Sequence, residues 1–157
     1  MNFPPFLEGL SEQEYREHFV ATYCKDAILT FDGIAVRFRK RHFEHAFFES
    51  SSPAKKDDTF SLERAKRMDW VKIALNDPSA DIRVGYDNLR RRPATDRRVA
   101  IVKGNFVVII RLTDTDKAEF VTCYVADSKS LSLIRKSAKW PRKPTNKADG
   151  PDMDERA

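Results

Sequence analysis

The segment Phe106-Val107-Val108-Ile109-Ile110 is apolar at every position. Apolar side chains on both faces suit a strand in the middle of a sheet, not one at an exposed edge. Other extended segments stand at residues 82–86, 98–102 and 120–126, and short turns join the last two to the central one at 106–112. All are rich in β-branched and aromatic residues, so an antiparallel meander is expected over residues 98–126. In its last strand, alternation assigns Val121, Cys123 and Val125 to one face and Phe120, Thr122 and Tyr124 to the other.

A hairpin is expected at residues 27–38. Two apolar runs flank Asp32-Gly33, the pair preferred in a two-residue turn. Pairing through that turn opposes Phe31 with Ile34, Leu29 with Val36 and Ala27 with Phe38, all on one face, and leaves Thr30, Ala35, Arg37 and Arg39 on the other.

Helices account for much of the remainder. Ser11-Glu12-Gln13-Glu14 is a capping box that opens a helix over residues 11–23, with Tyr15, Phe19 and Tyr23 as an aromatic stripe. A short helix is expected at residues 42–48, a polar loop at 49–58 and a central helix at 61–76, which Asp77-Pro78 ends. An amphipathic closing helix is expected at 128–140, and residues 141–157 read as a disordered tail. Residues 1–140 therefore form a single α+β domain, with helices packed on one side of a curved, mainly antiparallel four- to five-stranded sheet.

Composition narrows the function classes. With 157 residues, 41% of them hydrophobic and eleven of them Phe, the chain makes one partly aromatic core. The tail from Pro141 holds four Lys/Arg and four Asp/Glu, so the folded part carries the formal charge of +5. An anionic partner, RNA above all, fits that excess. Two cysteines make no disulfide framework, and no export signal or membrane-spanning run is present, so a cytoplasmic location and no membrane partner are expected. Five glycines, no Gly-rich phosphate loop and no G-x-S-x-G argue against a dinucleotide fold or a serine hydrolase, and no cofactor is expected.

The residues with chemistry to offer begin at Arg37-Phe38-Arg39-Lys40-Arg41-His42-Phe43-Glu44-His45. Cleaving RNA through its own ribose requires removal of the 2′-hydroxyl proton, protonation of the departing 5′-oxygen and stabilisation of added charge on phosphorus. Histidine suits either proton transfer near neutral pH, and arginine or lysine supplies the electrostatic contribution. His42 and His45, three apart on a helix, are expected to reach the same phosphate. Two histidines with no cysteine nearby make a poor metal site, so none is expected. Arg64 and Arg67 are expected on one side of the central helix, facing the histidines. The hydroxyls of Thr122 and Tyr124 suit a phosphate or a base. Arg90, Arg91, Arg92, Arg97 and Arg98 form a basic entry to the sheet. Each feature also has a plainer reading: a solvated basic run, a helix laced to Glu63 or Asp69, ordinary strand formers, a solvated loop.

The order of the motifs is informative. A basic-His motif precedes the helix Phe60-Ser61-Leu62-Glu63-Arg64-Ala65-Lys66-Arg67-Met68-Asp69-Trp70 with its Asn76-Asp77-Pro78 end, and the strand Phe120-Val121-Thr122-Cys123-Tyr124 follows. Over residues 34–126 the chain resembles the phage-associated branch of the superfamily that joins barnase, EndoU, colicin D and RelE-type toxins (BECR). The resemblance implies a helical segment on a four-stranded antiparallel sheet and metal-independent RNA cleavage on the open sheet face, leaving a 2′,3′-cyclic phosphate. It also implies a toxin-type or phage-encoded effector acting on tRNA or other cellular RNA, with an immunity or antitoxin protein as partner. It maps the cationic and first histidine positions onto Arg39, Arg41 and His42, the second histidine onto His45, and the hydroxyl-aromatic pair onto Thr122 and Tyr124. Arg37, Lys40, Arg64, Arg67 and Arg98 are then RNA-binding candidates. The motifs supply no counterpart of the carboxylate base of barnase. Two other readings stay open: a non-catalytic RNA- or DNA-binding module, and a phage accessory domain whose basic face meets an acidic protein.

Overall fold

The computed structural model describes residues 2–55, 58–84 and 97–140, together with the backbone of the short strand pair Tyr86–Asp87 and Arg92–Pro93. The tail expected at 141–157, and Arg90 and Arg91 of the basic loop, lie outside the described residues. In chain order the elements are α1 (Glu12–Tyr23), β1 (Ile28–Leu29), β2 (Ala35–Arg37), α2 (His42–Ala46), β3 (Phe48–Glu49), β4 (Thr59–Phe60), α3 (Leu62–Ala65) and α4 (Trp70–Asn76). They continue with β5 (Asp81–Val84), β6 (Tyr86–Asp87), β7 (Arg92–Pro93), β8 (Arg98–Lys103), β9 (Phe106–Leu112), β10 (Lys117–Val125) and α5 (Ser128–Lys136). The protein is α+β, and its main sheet has six strands in the order β1-β2-β10-β9-β8-β5. Every pairing in that sheet is antiparallel except β2 with β10.

Burial explains the arrangement. At the start of α1 the Ser11 hydroxyl accepts from the Glu14 N–H at 3.1 Å, and the Ser11 N–H donates to the Glu14 carboxylate at 2.9 Å. The helix turns Tyr15, Phe19 and Tyr23 inward. Phe19 meets the rings of Tyr23, Phe38, Phe43, Phe47 and Phe120 at centroid separations of 5.6–6.4 Å, so one aromatic cluster ties α1 and α2 to β10. Both buried tyrosines keep their hydroxyls paired: Tyr15 donates to the Leu7 carbonyl and Tyr23 to that of Met68.

Five expectations need correction. First, the hairpin closes with a three-residue loop. The Thr30 hydroxyl donates to Asp32 and accepts from the Ile34 N–H, while Gly33 takes a φ of +87°. Leu29 consequently pairs with Ala35 and is 56% exposed, whereas Val36 on the partner strand is fully buried. Secondly, residues 61–76 make two helices. The N–H groups of Arg67, Met68 and Trp70 bond three residues back, tightening the chain between α3 and α4 so that Met68 enters the core.

Thirdly, β10 carries a bulge between Phe120 and Thr122. The extra residue sends Phe120 into the core with Cys123 and leaves Thr122 and Tyr124 on the opposite face. Fourthly, the helices are not all on one side. The first four pack on one face, and α5 crosses the other, covering Ala100, Val102 and Val107 with Leu131 and Ile134. The closing helix ends at Lys136, and the chain beyond it pairs along β5, with the Val84 N–H donating to Ala138 and the Trp140 N–H to Ile82. Fifthly, the main sheet has six strands, not four or five, because β1 and β2 extend it beyond β10; the polar loop expected at 49–58 joins the two strands of a separate small hairpin, β3 with β4.

A buried ion pair closes the structure at one end. Asp77, 1% exposed at the end of α4, takes the Lys103 ammonium at the end of β8. The bond to Lys103 holds the Asp77 carboxyl far below the usual carboxylate range, against the opposing effect of burial.

Candidate functional site

The half of the second sheet face that α5 leaves open contains a cleft of about 370 Å³. Its floor is apolar, with Ala100, Ile109 and Val121 from the sheet, and α5 walls it with Ser130, Leu133 and Ile134. Four polar side chains converge on it: His45 from α2, Arg98 from β8, and Thr122 and Tyr124 from β10. The bulge determines this aim, because without it Thr122 and Phe120 would share a face.

The position of His45 has its own cause. β2 pairs with β10 only at Lys117–Glu119. Beyond that reach α2 lies against β10 and carries His45 to the rim of the open face. Arg64 braces α2 by donating to the carbonyls of Ala46 and Phe48 at 3.3 and 3.4 Å, a cation at a helix C-terminus. Arg64 and Arg67 line a smaller depression that shares Tyr124 with the cleft. Arg67 is largely occupied there: its guanidinium lies over Phe6 and Trp70 at 4.9 and 5.3 Å and donates to the Glu63 carbonyl.

The two imidazoles expected to act together are separated. His42, Phe43 and Ala46 form the buried side of α2, and His45 falls on its exposed side. His42 is 8% exposed, its Nδ1 accepts from the Arg39 N–H at 2.9 Å, and its ring meets Phe120 edge-on. Burial first, and Arg41 next, push its pKa below the ordinary imidazole value, favouring the neutral ring. His42 therefore fixes the strand-to-helix corner, and it is not among the residues lining the cleft.

Of the remaining cations, Arg37, Arg39 and Arg41 lie along the open face. Arg37 and Arg39 line a third, shallow depression with Lys117 and Glu119. Arg41 stands 3.8 Å from Glu119, and Lys40 is exposed. Arg111 also reaches Glu119, at 3.9 Å. Neither Glu119 nor Arg111 is singled out by the sequence motifs. Both follow from strand register, which opposes Arg111 with Glu119 and Glu119 with Arg37. Tyr124 has its pKa raised by burial, which keeps the phenol protonated as a donor, and burial pushes the Cys123 thiol on the core face up to about 12.

Chemically, the cleft offers an imidazole, a guanidinium and two hydroxyl donors over an apolar floor. That set suits a phosphodiester with an adjoining base. Among the described residues no cluster of three or more His, Cys, Asp or Glu is placed to hold a metal ion, and no helix is long and apolar enough to cross a membrane. No protein-family model matches the chain, and no curated protein or solved structure matches it either.

Proposed function

We propose that the protein is a metal-independent endoribonuclease of the BECR type, a phage-related or toxin-like effector acting on tRNA or other cellular RNA. The observation that carries this reading is the convergence of His45, Arg98, Thr122 and Tyr124 on one cleft. In the proposed reaction neutral His45 takes the proton of a ribose 2′-hydroxyl as that oxygen attacks the adjacent phosphorus. Arg98 and the donors Thr122 and Tyr124 offset the charge that builds on the phosphoryl oxygens. The imidazolium then gives a proton to the departing 5′-oxygen. A P–O bond to the 2′-oxygen forms as the P–O bond to the 5′-oxygen breaks, leaving a 2′,3′-cyclic phosphate and a 5′-hydroxyl.

Purified protein incubated with total RNA in excess chelator tests the reading. Cleavage that His45→Ala reduces by about 10²–10⁴-fold is expected. Undiminished cleavage by His45→Ala would remove that residue from the proton transfers. Salt-sensitive RNA binding without product would replace the nuclease with a binding module on the same face, and an acidic protein partner without RNA binding would favour an accessory domain.

A further inference from the structure

Strand register places Arg98 opposite Arg111, Arg111 opposite Glu119, and Glu119 opposite Arg37. Residues directly opposite across strands point to the same face. The four therefore form one row at right angles to the strands, from β8 to β2, on the face that holds the cleft. Its span is about 14 Å, three strand spacings. At the β8 end Arg98 belongs to the cleft, and at the β2 end Arg37 borders the shallow depression that also holds Arg39 and Lys117. Apolar side chains under α5 occupy the neighbouring part of the face, yet the row stays open: the Arg111 side chain is 48% exposed and Arg37 is exposed. The carboxylate of Glu119 sits inside the row, 3.8 and 3.9 Å from the guanidinium nitrogens of Arg41 and Arg111. One carboxylate among these arginines leaves the row with a positive surplus.

We propose that this row is a backbone track for single-stranded nucleic acid, leading from the cleft across β9 and β10 to β2. The inference rests on the cleft being an RNA site and adds the course and strandedness of the polymer. Arginines spaced along a line match successive phosphates, and among the described residues no aromatic ring stands in the row itself to stack a base, so the track holds backbone and tolerates any sequence. Strandedness follows from the cleft, which α2 and α5 confine on two sides: a nucleotide enters it only after leaving its stack, and an unpaired nucleotide does so at the least cost.

The test uses the full chain and a fluorescein-labelled 2′-O-methyl RNA strand, which lacks the attacking hydroxyl and so reports binding alone. Anisotropy titrations between about 50 and 200 mM salt give the slope of log K against log[salt]. Arg37→Gln and Arg111→Gln are each expected to flatten that slope by about 0.7, the value for one phosphate contact on a single strand. Lys72→Gln, on the helical layer of the opposite face, is expected to leave it unchanged. Unchanged slopes in both arginine variants would overturn the track, as would equal affinity for a duplex of the same sequence or equal competition by polyglutamate. Cleavage of unmodified RNA is scored separately. Lost cleavage with the slopes as expected would overturn the nuclease reading and leave the track. Cleavage with slopes unmoved would do the reverse.

Discussion

Truncating Phe120 tests the bulge that aims the site. Its ring is 1% exposed, stacks on Phe38 at 4.6 Å and touches His42 and Phe19 at 5.9 and 6.4 Å. Phe120→Ala removes a fully buried ring from a cluster that α1, α2 and β10 hold rigidly on several sides. A cost of about 3–5 kcal/mol is expected, since such a cavity relaxes only in part. For a chain of this size each kcal/mol lowers Tm by about 2–4 °C, which gives a fall of about 10 °C. Urea unfolding followed by tryptophan fluorescence is the assay, with the midpoint moving and the slope unchanged. Uninterrupted alternation would instead leave Phe120 beside Thr122 on the open face, where truncation costs little. A loss below about 1 kcal/mol would refute the bulge, and with it the stated reason that Thr122 faces the cleft.

Other consequences can be measured in the same way. Asp77→Asn removes one partner of a buried ion pair and is expected to cost about 3 kcal/mol, read by the same unfolding assay. The folded-state pKa of Asp77 is depressed, so its contribution is complete above the unfolded value near 3.8 and is lost as pH falls below it. The variant's unfolding midpoint should therefore approach that of wild type in strong acid. His42 also has a depressed folded-state pKa, and on acidification the unfolded chain protonates first. Its stabilising contribution is full above about 6.5 and declines as pH falls from there towards the folded value. Wild type should thus lose more Tm between neutral and mildly acidic pH than His42→Asn does, in paired thermal melts. Thr122→Val keeps the strand and removes one donor, so the RNA cleavage rate should fall about tenfold with Tm nearly unchanged.

Much of the fold was legible because local rules and burial agree. The capping box with its aromatic stripe marks α1, and the apolar segment at Phe106–Leu112 lies between β8 and β10. What escaped depends on single-residue adjustments that no periodicity encodes. The Thr30 hydroxyl closes a loop one residue longer than Asp-Gly suggests and so exposes Leu29. The Val121 bulge reverses the face of Phe120, and helical spacing alone cannot show that the buried side of α2 takes His42 but not His45. The arginine row was further out of reach. It exists because β2 pairs in parallel with a strand about eighty residues later, and it includes Glu119 and Arg111, which belong to no motif.

The most direct measurement is the mass of the 3′ ends produced when purified wild-type protein digests RNA with divalent ions chelated. Transesterification in the His45 cleft predicts 3′ fragments ending in a 2′,3′-cyclic phosphate, each paired with a 5′-hydroxyl end. Fragments ending in a 3′-hydroxyl with a 5′-phosphate, or RNA left whole, would contradict it.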